Sequence, residues 1–122
     1  MMSSDKITIL NQHMYINLET YKKSGQAVRT PVWFVISDDE IFVLTSQNTG
    51  KVKRIKNNQT IKIMPCGIRG DSKGEWIDGV ARIATEPEMQ DIIKLRYKKY
   101  GFRARLIGLF KKDNLAGIAI KI

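Results

Sequence analysis

Cysteine and histidine are almost missing from this chain. Of its 122 residues one is cysteine, Cys66, and one is histidine, His13. A single cysteine excludes an intrachain disulfide framework and any Cys-rich zinc site, and one histidine leaves no His-based metal cage within the chain. Acidic residues are scarce as well: 12 Asp plus Glu stand against 21 Lys plus Arg, a net charge of +9. That excess favours an anionic partner, whether a phosphorylated cofactor, nucleic acid or an acidic membrane surface. No apolar run approaches the roughly 18 residues of a membrane span. The start, Met1-Met2-Ser3-Ser4-Asp5-Lys6, lacks the charged and apolar regions of a secretory signal, so the expectation is a cytoplasmic protein without a membrane partner.

What is present is ordinary for a folded protein: 43% apolar and 27% charged residues, in a length that suits one domain over residues 1–122. Ile7 to Tyr21 carries short β-like runs, with Met14, Ile16 and Leu18 on one parity. Val28 to Ser37 is a β-branched and aromatic run that Asp38-Asp39 breaks before Ile41 to Thr45 resumes, the pattern of a hairpin. Thr60 to Pro65, Glu75 to Ala84 and Ala116 to Ile122 complete about six strands. Two segments read as helices. One is short, Gly50 to about Asn57; the longer one opens with the capping box Thr85-Glu86-Pro87-Glu88 and stops at Gly101. The fold class is therefore mainly β: a small antiparallel barrel with one long and one short helix.

Parity adds an inference about assembly. Val32, Phe34 and Ile36 point one way, Trp33 and Val35 the other, and Ile41 and Val43 oppose Phe42 and Leu44 in the same manner. One face fills the barrel. The other must also leave water, and one helix covers only part of it. A second copy of the chain is the economical cover, so a homodimer is expected.

The most informative stretch is Thr45-Ser46-Gln47-Asn48-Thr49-Gly50-Lys51-Val52-Lys53-Arg54. It follows a strand, is rich in hydroxyls and leads through Gly50 into a helix start, where free amides prepare an anion site. At 100° per residue Lys51 and Arg54 flank the apolar stripe of Val52 and Ile55, while Lys53 and Lys56 face solvent. Lys51 and Arg54 are thus the candidate phosphate ligands. The alternative is a solvated basic helix with no ligand. This is no Walker A loop: the first glycine is missing, and Val52 stands where Mg²⁺ needs a hydroxyl.

Thr30-Pro31-Val32-Trp33 is the second unusual feature. A proline in a strand belongs at an edge or a bulge, leaving backbone groups free to meet a ligand. Trp33 either flanks a planar ring or packs in the core or a dimer interface. The remaining candidates are weaker. His13 suits a surface or capping role, and Cys66 a buried thiol. Asp71, Glu75 and Asp78 gather around a turn without making an acid–base pair, and Lys98, Lys99, Arg103, Arg105, Lys111 and Lys112 read as a solvated basic face. No catalytic residue is assigned, so any activity is borrowed from a cofactor.

With these residues in view, the chain resembles a known family. Leu18-Glu19-Thr20-Tyr21, Gly25, Thr30-Pro31-Val32-Trp33-Phe34, Thr45, Gly50-Lys51 and Arg54-Ile55 look like the flavin/deazaflavin oxidoreductase superfamily, the pyridoxamine 5′-phosphate oxidase-like group with the FMN-binding split β-barrel. Tyr97-Lys98-Lys99-Tyr100-Gly101 resembles its coenzyme F-420-dependent branch. The resemblance implies a homodimeric split barrel with cofactor sites at the subunit interface. Thr45, Ser46, Gly50, Lys51 and Arg54 would hold the phosphate, and Thr30, Pro31, Val32 and Trp33 would run along the ring. Three departures stand out. Gln26-Ala27 replaces a usual Arg-Pro, Asn57-Asn58 replaces Asn-Pro, and the short segment before the first strand implies an absent or reduced N-terminal helix.

The function the resemblance implies is hydride transfer between F-420, or alternatively FMN, and a small organic substrate. A flavin carrier without turnover needs the same phosphate grip. A basic nucleic-acid-binding barrel is the more distant alternative. It would need Tyr15, Tyr21 and Trp76 on one basic face, and these are not interleaved with the densest Lys/Arg cluster.

Overall fold

The computed structural model describes residues 2–101 and 115–122. The elements run α1 (Met2–Leu10), β1 (Tyr15–Tyr21), β2 (Ala27–Val32), β3 (Val35–Ser37), β4 (Glu40–Ser46), α2 (Gly50–Asn57), β5 (Thr60–Cys66), β6 (Ile77–Ile83), α3 (Glu86–Tyr100) and β7 (Leu115–Lys121). All strand pairs are antiparallel, in the order β2-β1-β5-β6-β7-β4-β3. The sheet curls until its two edges, β2 and β3, are separated only by Trp33-Phe34 in the chain. This is a split barrel.

Two expectations are corrected. The described residues form seven strands, because the run from Val28 to Ser37 is interrupted at Trp33-Phe34. The cause is a competing set of partners. The Phe34 amide donates to the Tyr100 hydroxyl at 3.0 Å, and the Phe34 carbonyl accepts from that hydroxyl at 2.9 Å and from Lys99 Nζ at 3.0 Å. Side chains of α3 thus take the bonds a ladder would otherwise have used. The second correction is at the start. Ile7 to Leu10 is helical, and the N-terminal helix is present with nine residues. Ile7 and Leu10, three apart, are its buried residues among those described, and Leu10 enters the barrel core.

Side-chain parity survives the break. Val32, Phe34 and Ile36 pack with the interior cluster of Ile16, Leu18 and Ile118, whereas Trp33 and Val35 belong to the outer cluster. That outer cluster is the seam with α3, formed by Met89, Ile92 and Tyr100 against Val35, Phe42 and Ala119. Gly117 permits this approach, since a Cβ there would lie 2.6 Å from Met89 Sδ. The start of α3 is fixed by its capping box, with Thr85 Oγ1 accepting from the Glu88 amide and the Glu88 carboxylate accepting from the Thr85 amide. Arg82 reaches Glu88 at 2.7 Å and Glu40 at 3.2 Å, tying the helix to the outside of the sheet.

Asp38 and Asp39 turn the β3–β4 hairpin with φ of 50° and 64°, the paired left-handed conformation of a two-residue loop. Pro31 sits on β2, an edge strand, where its missing N–H costs the sheet little. Among the described residues, no helix is long and apolar enough to cross a membrane.

Candidate functional site

Helix α2 is short, and its buried residues Val52 and Ile55 clamp it over the barrel. Ile55 is part of the interior cluster. Lys51 and Arg54 lie half-buried beside this stripe, while Lys53 and Lys56 are exposed, as helical spacing dictates. Arg54 donates through Nε to Thr20 Oγ1 at 2.6 Å. Its guanidinium lies back over the helix start, where a Cβ on Gly50 would come within 2.5 Å of Nη1. A side chain at this position would displace the guanidinium from where it lies.

The helix start has no side-chain cap. Thr49 occupies the capping position, but its hydroxyl donates to the Ser46 carbonyl at 3.0 Å and accepts from Thr45 Oγ1 at 3.5 Å. The first-turn amides therefore lack the side-chain acceptor that such positions usually carry. No acidic residue lies in the first turn. Lys51 and Arg54 form no ion pair among the described residues. Burial, and then the neighbouring Arg54 charge, hold the Lys51 ammonium below its ordinary pKa. Two cations beside uncapped amides have the chemistry that suits an anion.

The second candidate segment lies close by. Thr20 pairs with Val28 across β1 and β2, and Leu18 pairs with Thr30. The diagonal from Thr20 to Thr30 is thus about 7–8 Å. Both face the barrel side, and Thr30 is half-buried. Arg54 therefore ties the helix start to β1, the neighbour of the strand that carries Thr30-Pro31-Val32. Thr45 is buried at the end of β4, and Ser46 contributes its carbonyl to Thr49.

The two ends of the β2 segment behave differently. Pro31 is exposed. Next to it, the Asn17 side chain donates to the Gly70 carbonyl at 2.8 Å, so the β5–β6 loop reaches the edge of this patch. Val32 packs on the interior cluster. Trp33 stacks on Tyr100 with centroids 4.1 Å apart and planes at 8°, and Arg96 stands 5.2 Å from its ring. One face of the indole is thus engaged within the protomer.

Sequence reasoning missed Thr20, Thr49, Lys99 and Tyr100 as contributors. Thr20 is fully buried at a barrel-facing position. The signal was there in the parity of Ile16, Leu18 and Thr20. Lys99, read as part of a solvated face, is half-buried; Arg103, Arg105, Lys111 and Lys112 lie outside the described residues. Asp71 pairs with Lys73 and Asp78 with Lys62, so these acids serve as exposed ion pairs. The described residues contain no metal-binding cluster. Tyr21 donates to the buried Glu19, and Arg29 pairs with Glu19 at 2.8 Å and stands over Trp76.

By sequence the chain matches no family model and none of the curated proteins. By structure it is similar to several solved proteins at low identity. Mycobacterium tuberculosis Rv2991, a conserved hypothetical protein, superposes with a TM-score of 0.74 at 20% identity, over 95% of this chain and 77% of that one. A Listeria innocua protein assigned as a pyridoxamine 5′-phosphate oxidase gives 0.72 at 14% identity, over 98% and 92%. The fold is that of the oxidase-like split barrels. HutZ of Vibrio cholerae, a heme storage protein, gives 0.71 at 19% identity, over 96% and 87%. The same barrel thus occurs in proteins described by different ligands, and the choice among ligands rests on this chain's own residues.

Proposed function

We propose that this protein binds a flavin-type cofactor through its phosphate at the start of α2 and acts as a redox protein, with coenzyme F-420 preferred over FMN. The observation that carries the reading is the uncapped helix start flanked by half-buried Lys51 and Arg54. The residues present fit a phosphate: amides without a side-chain acceptor, two cations without carboxylates among the described residues, and hydroxyls from Thr45 and Thr49 nearby.

In this reading Lys51 and Arg54 neutralise the phosphate, and Thr20 holds the Arg54 guanidinium in place. The Thr30 to Trp33 segment supports the ring by its backbone and by the rigid Trp33–Tyr100 stack. A bound ring supplies two-electron hydride chemistry toward a small organic substrate, so the chain itself needs no acid–base pair. Its work is to bind, orient and exclude water. A second copy of the chain closes the pocket over the partly covered outer face. The charge of +9 favours the anionic glutamate tail of F-420, and the Tyr97 to Gly101 resemblance points the same way.

The test is equilibrium binding of F-420, FMN and hemin to cofactor-stripped protein at one salt concentration, followed by fluorescence. Tighter binding of F-420 supports the proposal. Equal or tighter binding of FMN keeps the phosphate site and makes this an FMN-dependent protein. Binding of neither, or of hemin alone, overturns the reading. Oxidation of the bound reduced cofactor by an acceptor panel then separates an enzyme from a carrier.

A further inference from the structure

A groove of about 290 Å³ lies along β3, lined by Asn11, Val35, Ile36, Leu95, Lys98 and Lys99. It is separate from the start of α2 and shares no residue with the proposed phosphate site. Val35 and Leu95, both of the outer cluster, give it an apolar floor, with Ile36 beside them in the strand. Its polar members among the described residues are the Asn11 amide and two ammonium groups, with no carboxylate among them. Neither Lys98 nor Lys99 forms an ion pair among the described residues.

Lys99 is held firmly. Its Nζ donates to the Phe34 carbonyl at 3.0 Å and stands 3.4 Å from the centre of the Phe34 ring. An ammonium has three protons, and the carbonyl takes one. The charge is fixed at the wall by a backbone contact and half-withdrawn from water, with no carboxylate partner among the described residues. Lys98, the next residue, is exposed and adds a second positive charge at the rim.

An apolar floor beneath two cations that have no carboxylate partner among the described residues selects a ligand with an apolar body and one anionic head. A neutral hydrophobe would leave the ammonium groups without a counter-charge, and a small inorganic anion would leave the floor wet. We propose that this groove binds a small organic monocarboxylate, its apolar body on Val35 and Leu95 and its carboxylate between Lys98 and Lys99. The proposal does not depend on the cofactor reading, because the groove and the helix start have separate residues.

The experiment titrates octanoate, and separately 1-octanol, into the full-length, cofactor-free protein at fixed salt, with chemical shifts and calorimetry as readouts. Octanoate is expected to bind at least tenfold more tightly than 1-octanol. Lys98→Glu, at an exposed position that leaves the fold intact, is expected to weaken octanoate at least tenfold and leave 1-octanol unchanged. Lys99→Met, which keeps an apolar stem, gives the same selective loss. Equal affinity for the acid and the alcohol overturns the proposal, as does unchanged octanoate binding in Lys98→Glu. Loss of binding in Lys6→Glu, at the separate groove beside Trp76, overturns it too.

Discussion

The Arg54 guanidinium is hydrogen-bonded to the fully buried hydroxyl of Thr20, 34 positions earlier in the chain, at 2.6 Å. This one bond ties the start of α2 to the β1–β2 pair, and so ties the proposed phosphate end to the proposed ring end. Thr20→Val keeps the shape and removes the acceptor. A hydrogen bond to a charged group contributes about 1.5–3 kcal/mol, but Arg54 can turn partly to water, so the expected loss is about tenfold in cofactor affinity. Circular dichroism should be unchanged. Undiminished affinity would show that Arg54 needs no anchor.

The two faces of α2 provide a sharper test. Lys51→Ala with Arg54→Ala removes both half-buried cations, and affinity for the phosphate-bearing cofactor is expected to fall about a hundredfold or more. Lys53→Ala with Lys56→Ala removes the same formal charge from the exposed face and should cost less than about threefold, with the remainder screened by salt. Fluorescence titration of both double variants at two salt concentrations decides between them. Equal losses would mean that net charge alone attracts the cofactor.

Much of the barrel was legible because side-chain alternation is a local property. Val32, Phe34 and Ile36 kept one face through a break in the strand, and Lys51 and Arg54 fell where helical spacing put them. The break itself was not legible. It depends on the Phe34 backbone meeting Tyr100, 66 positions away, and no pattern between Val28 and Ser37 encodes that partner. The N-terminal helix was misread for a related reason. Short apolar runs such as Ile7 to Leu10 suit either helix or strand, and here Leu10 entering the barrel core settles the matter. Trp33 was legible as unusual, but its stack on Tyr100 required the position of α3.

Tyr100 therefore has a structural role that a single atom carries. Its hydroxyl accepts from the Phe34 amide and shares its proton between the carbonyls of Phe34 and Met14, at 2.9 Å and 2.8 Å. Tyr100→Phe preserves the stack on Trp33 and strands a buried amide. The expected cost is about 1–3 kcal/mol, read as a lower urea midpoint at unchanged slope. The Trp33 fluorescence environment should persist. A neutral result would mean that water replaces the hydroxyl at the crossing.

Stability should also depend on alkaline pH, with a sign that Lys99 sets first. Burial holds its ammonium down at about 8, whereas a lysine in the unfolded chain titrates near about 10.4. Between those values the unfolded state binds more protons than the folded one, so stability rises with pH across that window. Tyr21 acts in the opposite direction. Burial and the Glu19 carboxylate raise its phenol to about 12, and burial raises Tyr100 as well. Above the ordinary phenol value near about 10 the folded state holds protons that the unfolded state has lost, and stability falls. The urea midpoint is therefore expected to climb from pH 7.5 toward about 10 and then decline. In Lys99→Met the climb should shrink to the part that the lowered Lys51 supplies, while the decline remains. A climb of equal size in that variant would assign the effect to another group and remove Lys99 as the titrating residue.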